Sequence, residues 1–291
     1  MTLDEMRGAV ELQRTYWGND LESVVPAHML FSLATGGGHV LAAFDREQMV
    51  GVLIGFLGTN IEEPDRPAMA NLQIISKRMI VLPEYRGHGV GYKLKKRQRE
   101  LAMRQGVRLI VWTFDPLMAA NAHLNIRKLG AISTRYLADY YGTDERSGLS
   151  RLGSSDRLLV EWWVTNRRVE ERLNGTRNDI ALQHYLEANT PVYNATGVNA
   201  QGIPIPAEEI VQPSSSLVLV EIPTNYEVLM RENVELARIW RAHIREALTM
   251  LIKVGYVVTD FVREEYEGRD RAFYLLSLGD KAFERVDFSP N

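Results

Sequence analysis

The chain has 291 residues and a mass of 33.1 kDa, which suits one complete domain and a smaller additional segment. Its net charge of −3 argues against a nucleic-acid-binding protein. The absence of cysteine excludes disulfides and thiolate sites, and the 6 histidines show no metal-ligand spacing. Without a signal peptide or a long apolar run, the chain is expected to be cytoplasmic, with no membrane contact.

The apolar spacing of the first part of the chain predicts two helices, a hairpin and a long strand. The helices cover 3–18 and 23–33, and the strands cover 39–44, 49–57 and 72–82. Alternation in the third strand breaks at Ser76-Lys77-Arg78, which predicts a β-bulge there.

A glycine-rich turn, Arg86-Gly87-His88-Gly89-Val90-Gly91, follows this strand and opens a basic helix over 90–105. The first N–H groups of a helix have no intrahelical partner, and the helix dipole adds positive charge. Glycine also lets the backbone come close to a ligand. The turn therefore predicts a site for a phosphate or pyrophosphate. Its third glycine comes too early for a dinucleotide fingerprint, and no Gly-Lys-Ser/Thr follows for a nucleotide loop.

Further alternating elements follow, and then the texture of the chain changes. Strands are predicted over 107–113, 131–141, 157–164, 217–222, 256–262 and 272–278, with helices over 116–129 and 226–253. Asp115 is the expected N-cap of the first of these helices. Since the intervening stretch is rich in Asn, Gly, Pro and Ser, the predicted domains are 1–170, an extended connection or lid at 171–215, and a β-α-β-β segment at 216–291.

The pattern Val81-x-Pro83-x-x-Arg86-Gly87-x-Gly89-x-Gly91, in this order of elements, resembles motif A of the GNAT superfamily of N-acyltransferases. The resemblance runs from residue 1 to about 165 and implies an α/β fold with a mixed sheet (α+β) and a smaller C-terminal extension. It also implies acetyl-CoA or another acyl-CoA, succinyl-CoA included, as cofactor. Its pyrophosphate would lie on the turn, and its pantetheine arm would pair with the strand before it. The implied cofactor residues are Met79, Ile80, Val81, Arg86, Gly87, His88, Gly89, Val90, Gly91, Tyr92 and Asn121.

Two asparagines, Asn121 and Asn125, are spaced to lie together along one edge of the predicted helix. They are candidates to hold the pantetheine arm or a substrate carboxylate, with ordinary surface residues as the alternative. Asp115 is a weaker substrate candidate, for which the N-cap role is favoured.

Many members of the family place a tyrosine four residues before the glycine that ends this helix, as general acid for the departing thiolate. Here that position is Ile126. Weak replacements are Tyr140 and Tyr141 on the next predicted strand, Tyr136 on the same strand, and His123. Acyl transfer to an amine can also proceed by positioning, with a water relaying the proton. The acidic residues Glu62, Glu63 and Asp65 are candidates to anchor the amine, although a solvated loop is favoured.

Residues 235–251 predict an amphipathic helix with Arg238, Arg241 and Arg245 on one face. A solvated face or a dimer contact is favoured for these arginines over a site for an anionic acyl group. The helix runs through Gly255 into a strand, as 127–131 does, so the C-terminal segment resembles a degenerate GNAT half-repeat. The strand end Trp112-Thr113-Phe114-Asp115-Pro116, the asparagine pair and the helix pattern Trp240-Arg241-x-His243-x-Arg245 together resemble a bacterial branch of the superfamily. This resemblance implies that some members acylate amino acids, with succinyl-CoA as a candidate donor.

The leading hypothesis is an acyl-CoA-dependent N-acyltransferase that moves an acetyl or succinyl group to a primary amine, an amino acid included, in a ternary complex. Since Ile126 replaces the tyrosine, the alternative is a non-catalytic acyl-CoA-binding or sensing module. A nicotinamide- or nucleotide-binding enzyme is a distant third. The expected partner is a small-molecule amine. The acyl acceptor and the oligomeric state, a homodimer included, stay open.

Overall fold

The computed structural model describes residues 2–18, 24–60, 67–143, 154–200, 202–207, 210 and 215–279. Its helices are α1 (Leu3–Trp17), α2 (Ala27–Thr35), α3 (Val90–Arg104), α4 (Ala119–Ala122), α5 (Arg167–Leu173), α6 (Leu182–Glu187), α7 (Tyr226–Glu232) and α8 (Val234–Lys253). Its strands are β1 (His39–Asp45), β2 (Gln48–Thr59), β3 (Leu72–Val81), β4 (Leu109–Phe114), β5 (Ile132–Leu137), β6 (Arg157–Trp163), β7 (Gly197–Val198), β8 (Pro204–Ile205), β9 (Leu217–Ile222), β10 (Tyr256–Tyr266) and β11 (Arg269–Leu278). The predicted mixed α/β class is confirmed.

Contacts along the backbone divide the chain into two compact units. The first contains Met1–Thr113, Asp139–Ser155 and Leu159–Arg177, and the second contains Phe114–Ala138, Asp156–Leu158 and Asn178–Asn291. The predicted domains, with boundaries at 170 and 215, follow sequence texture and stay a prediction.

The first unit is built on strands in the order β1-β2-β3-β4-β6. β1, β2 and β3 pair antiparallel, and β3 pairs with β4 in parallel. Since α3 connects these two parallel strands, the predicted strand–helix–strand crossover is present. Apolar residues of α1 and α2 form a core with β2 and β3 that includes Met6, Val10, Leu30, Val52 and Ile80.

Strand β3 contains the predicted bulge. Its register against β2 shifts so that Ser76 is opposite Gly55 while Arg78 is opposite Ile54, which leaves Lys77 as the extra residue. The side chains before and after the bulge point to opposite faces of the sheet. Ser76 bonds to Lys95 of α3, whereas the Arg78 guanidinium lies over the Trp17 ring of α1 at 4.9 Å.

The second unit is built on strands in the order β5-β10-β11-β9. The predicted C-terminal hairpin is present and longer than expected, because β10 and β11 pair from Tyr256–Leu278 to Tyr266–Arg269. Glu267 and Gly268 at its tip have φ of 53° and 72°, as a type I′ turn requires. Separately, β7 and β8 form a small two-stranded sheet.

Two predicted elements are wrong in their extent. The strand expected over 131–141 ends at Leu137, and residues 138–141 form a turn in which Asp139 has φ of 48°. The helix expected over 116–129 begins only at Ala119 and becomes a π-helix over His123–Lys128. Both differences move residues that the sequence singles out.

Candidate functional site

The glycine turn between β3 and α3 has the conformation that its sequence requires. Gly87 and Gly89 both have φ of 79°, a left-handed conformation that costs an L-residue roughly 1–2 kcal/mol. Gly89 is the N-cap of α3. A Cβ added at either glycine would have no atom within 4 Å, so the turn is open on its outer side.

The start of α3 presents a row of unbonded backbone donors. The N–H of Lys93 donates to Gly89 O at 3.0 Å as the first bond of the helix. Among the described residues, none accepts a hydrogen bond from the N–H groups of residues 87–92. These donors and the positive end of the helix dipole together favour an anion.

Side chains of the turn hold its own backbone in place. Arg86 Nε donates to Val81 O at 3.2 Å, and its guanidinium lies 5.4 Å from the centroid of the Tyr16 ring. His88 Nδ1 is 2.9 Å from Arg86 O. Arg86 and His88, both predicted cofactor residues, therefore shape the turn through side chains that bond inward.

The edge of β3 that precedes the turn is partly free. Leu82 N–H donates to Val50 O at 3.0 Å, and donors alternate between the two edges of a strand, so Met79 and Val81 direct their backbone groups away from β2. On that side, the ladder with β4 stops at Ile75 and Val111. The same alternation assigns Ile80 to the pairing with β2. Since Val81 O already accepts from Arg86 Nε, the open edge offers the backbone groups of Met79 and the N–H of Val81.

The basic residues of α3 do not all face solvent. Lys93, Lys96 and Arg97 are exposed, as a solvated face requires. Lys95, by contrast, is buried, and Arg99 donates to Val164 O at 2.7 Å. Both side chains turn toward the protein.

Tyr140 and Tyr141 lie in the turn after β5, on the first unit, and not on a strand. Tyr140 is half exposed, and its ring centroid is 4.7 Å from that of Tyr141. The Tyr141 ring lies 5.2 Å from the Nζ of Lys77, the bulge residue of β3. Tyr141 N–H donates to Ser155 Oγ at 2.8 Å, which fixes the turn. Of the tyrosine candidates, Tyr141 is the one beside the bulge.

The remaining candidates lie in the second unit, around the π-helix. Leu129 N–H donates to Leu124 O at 3.0 Å, one residue further than in an α-helix. The expected alignment of the two amides is lost, because Asn121 is exposed and Asn125 is buried. Burial, and then the nearby Lys128, lower the pKa of the half-buried His123. Glu62, Glu63 and Asp65 lie outside the described residues.

Asp115 forms a buried ion pair with the C-terminal helix. Its two carboxylate oxygens accept from Nη1 and Nη2 of Arg241, each at 2.7 Å, and Oδ1 also accepts from Leu117 N–H at 2.9 Å. Burial disfavours the charge on Arg241, but the Asp115 carboxylate outweighs it and raises the pKa of the guanidinium. Both oxygens of Asp115 are therefore occupied within the protein. Asp115 closes a turn before α4 and does not cap the helix itself.

The arginine face of α8 is largely internal. Besides Arg241, Arg245 donates to the fully buried Asp156 at 2.6 and 2.9 Å, and Asp156 also accepts from Tyr136 at 2.6 Å. Burial, and then the Asp156 charge, raise the pKa of Tyr136. The predicted solvated face fits Arg238 and is wrong for the buried Arg241, while the Arg245 side chain is 36% exposed and ion-paired. The distant partners Asp115 and Asp156 carry no local sequence signal of this pairing.

The parallel strands β3 and β4 thus part beside the open N-terminus of α3. Residues 7–130 match the model of the Acetyltransferase (GNAT) family, which is the family that the sequence motif predicts. This confirms the predicted family, the N-acetyltransferase class of enzyme and acyl-CoA as the cofactor of that class.

Several solved structures resemble the chain at low identity. The ribosomal-protein-S18-alanine N-acetyltransferase from Escherichia coli is 13% identical, with 56% of this chain and 90% of that chain covered and a TM-score of 0.42. An N-acetyltransferase from Staphylococcus aureus Mu50 is 13% identical over 57% and 96% of the two chains, with a TM-score of 0.45. YncA of Salmonella typhimurium, solved with its cofactor acetyl-CoA, is 16% identical over 57% and 92%, with a TM-score of 0.42. No curated protein matches the sequence significantly. The family therefore rests on the domain match.

Among the described residues, no helix is both long and apolar enough to cross a membrane.

Proposed function

We propose that the chain transfers an acyl group from acyl-CoA to a primary amine. The observation that carries this proposal is the row of N–H groups at 87–92, unbonded among the described residues, at the start of α3. These donors would hold the pyrophosphate, and Gly87 and Gly89 leave room for it to approach. Asn121 stays a further cofactor candidate on sequence grounds.

The open edge of β3 supports a place for the pantetheine arm. The backbone groups of Met79 and the N–H of Val81, which point away from β2, would pair with its amides, as one strand pairs with another. The donor of this edge nearest the thioester would stabilise the charge that develops on its carbonyl oxygen.

The chemical step joins two bound reactants. The lone pair of the neutral amine attacks the thioester carbonyl, and the tetrahedral intermediate then expels the sulfur as the C–N bond is kept and the C–S bond breaks. The amine loses one proton to water, and the thiolate of CoA gains one. Since Ile126 is fully buried, no tyrosine acid stands at the usual position, and Tyr141 beside the bulge is the candidate that the geometry favours.

Calorimetric titration of the protein with acetyl-CoA, succinyl-CoA and NAD tests the cofactor. We expect a CoA ester to bind and NAD not to bind; no binding of either ester would refute the proposal. Release of free thiol with a panel of amino acids and other amines then identifies the acceptor. Binding without thiol release for any amine would favour the sensing module that the buried Ile126 suggests.

A further inference from the structure

Helix α3 buries one of its lysines at the point where β3 and β4 part. Pairing of these strands ends at Ile75 and Val111, so Ser76 and Trp112 are the first residues beyond the ladder. The Nζ of Lys95 lies 2.9 Å from Ser76 Oγ and 3.4 Å from the centroid of the Trp112 ring. The Lys95 amine thus contacts, on each of the two strands, the first side chain beyond the end of the β3–β4 ladder.

The surroundings of this amine are polar but neutral. Lys95 is 2% exposed, and its Nζ is 3.4 Å from Gln98 Oε1, which also accepts from Ser76 Oγ at 3.0 Å. No described carboxylate pairs with it, and burial lowers the pKa of Lys95 well below that of an ordinary lysine. A buried amine without a counter-charge costs stability, and an apolar side chain would be the cheaper filling for this position.

The cluster is also tightly packed on the side of β2. Gln98 Nε2 is buried and has no hydrogen-bond acceptor among the described residues. A Cβ at Gly55, opposite the bulge, would lie only 2.8 Å from this nitrogen. Lys95 and Gln98 are therefore packed against residues of β2, β3 and β4.

We propose that Lys95 is a positioning residue that sets the separation of β3 and β4 where they part, and so keeps open the strand edge that receives the pantetheine arm. This inference rests on the acyl-CoA function proposed above. The amine stands between the Ser76 hydroxyl and the Trp112 ring, and its bonds fix the spacing of both. An apolar replacement would leave Ser76 and Gln98 without this donor, and the two strands would be free to approach.

The variant Lys95→Met tests the inference, since methionine keeps most of the length and loses the amine. Two ligands are titrated: acetyl-CoA, and adenosine 3′-phosphate 5′-diphosphate, which has the pyrophosphate but no arm. We expect acetyl-CoA to bind about tenfold more weakly to the variant, while the nucleotide binds within about twofold of wild type. Thermal unfolding should not occur at a lower temperature, because an apolar side chain replaces a buried amine.

Two further variants make the outcome decisive. Arg104→Met removes an exposed cation from the last turn of α3 and should change neither affinity. Ser76→Ala keeps the lysine, removes its hydroxyl partner and should also weaken acetyl-CoA selectively, which keeps the test open if Lys95→Met does not fold. Wild-type affinity for acetyl-CoA in Lys95→Met and Ser76→Ala, or equal weakening of both ligands, would overturn the inference alone. Failure of wild-type protein to bind acetyl-CoA would overturn the proposed function.

Discussion

Gly89 shows how one residue links the backbone of the turn to its chemistry. Its φ of 79° is left-handed, and Gly106, which follows α3 at its other end, has φ of 73°. Neither position has an atom within 4 Å of an added Cβ, so a substitution at either costs backbone strain and causes no clash. The two glycines differ in position: Gly89 lies at the proposed phosphate site, and Gly106 lies at the opposite end of the helix.

This difference predicts that Gly89→Ala weakens acetyl-CoA binding more than tenfold, because the strain moves the N–H donors of the first turn. Each of Gly89→Ala and Gly106→Ala should lower the free energy of unfolding by about 1 kcal/mol. Calorimetry and urea unfolding measure the two effects. If Gly106→Ala lost as much affinity, the turn would not be the phosphate site.

Tyr141 has a testable role of its own. As general acid for the departing thiolate, it would contribute to kcat and not to binding of acyl-CoA. We expect Tyr141→Phe to lower kcat by about a hundredfold with little change in KM for acyl-CoA. Steady-state thiol release measures both, and Tyr140→Phe should have the smaller effect because its ring is half exposed. Unchanged kcat in Tyr141→Phe would mean that water, and not Tyr141, protonates the departing thiolate.

The glycine turn could be predicted from the sequence, whereas the burial of Lys95 could not. Glycines between a strand and a helix are typical of a turn that needs a left-handed conformation, and this pattern is visible in the sequence at 87 and 89. Lys95 stands among Lys93, Lys96 and Arg97, where spacing alone indicates solvent. Its contacts with Ser76 and the Trp112 ring show that its side chain turns inward.

The elements of the second unit are joined by a charge pair that local patterns cannot predict. Asp115 and Arg241 are 126 residues apart, and both are buried. Removing one partner leaves the other charge unpaired in the interior. We expect Asp115→Asn to lower the free energy of unfolding by about 3 kcal/mol, as measured by urea denaturation.

The double variant Asp115→Asn/Arg241→Met should be more stable than Asp115→Asn alone, since it removes the unpaired charge. Arg238→Ala on the same helix serves as the control. Its pair with Glu235 has side chains 63% and 78% exposed, so the change should stay below about 0.5 kcal/mol. A loss in Arg238→Ala equal to that in Asp115→Asn would contradict the assignment of the effect to the buried ion pair.

Element bounds failed where tertiary packing overrode local spacing. The pattern over 116–129 fits a helix, but a π-helix over His123–Lys128 changes which residues share a face. Strand β5 ends at Leu137, although Tyr140 and Tyr141 are good strand residues, because residues 138–141 turn. The bulge in β3 was predictable because it leaves a break in alternation.

For the whole molecule, the family and the mixed fold followed from one motif and the order of the elements. The division of the chain did not follow in the same way, since Phe114–Ala138 is compact with residues from beyond 177 and sequence texture carries no mark of that. The half-repeat stays a prediction.

The residues proposed to hold acyl-CoA by their backbone, 79–92, all belong to the first unit. We therefore expect saturating acetyl-CoA to slow amide hydrogen exchange most strongly at 79–92. Bound ligand at a hundred times its Kd adds about 2.7 kcal/mol to the stability of the folded state. Exchange measured by mass spectrometry with and without acetyl-CoA reports this, and adenosine serves as control. Protection confined to the hairpin 256–278 would contradict the placement.

Lys77 is the extra residue of the bulge in β3. Gly55 is opposite Ser76 and Ile54 is opposite Arg78, so one residue of β3 has no partner on β2. Since Ser76 and Arg78 already serve opposite faces, a chain shortened by Lys77 would keep every cross-strand partner and every inward side chain on its present face. Burial of apolar side chains therefore gives no reason for the extra residue. Deletion of Lys77 is therefore expected to remove the bulge and straighten β3 while the core side chains stay on their present faces.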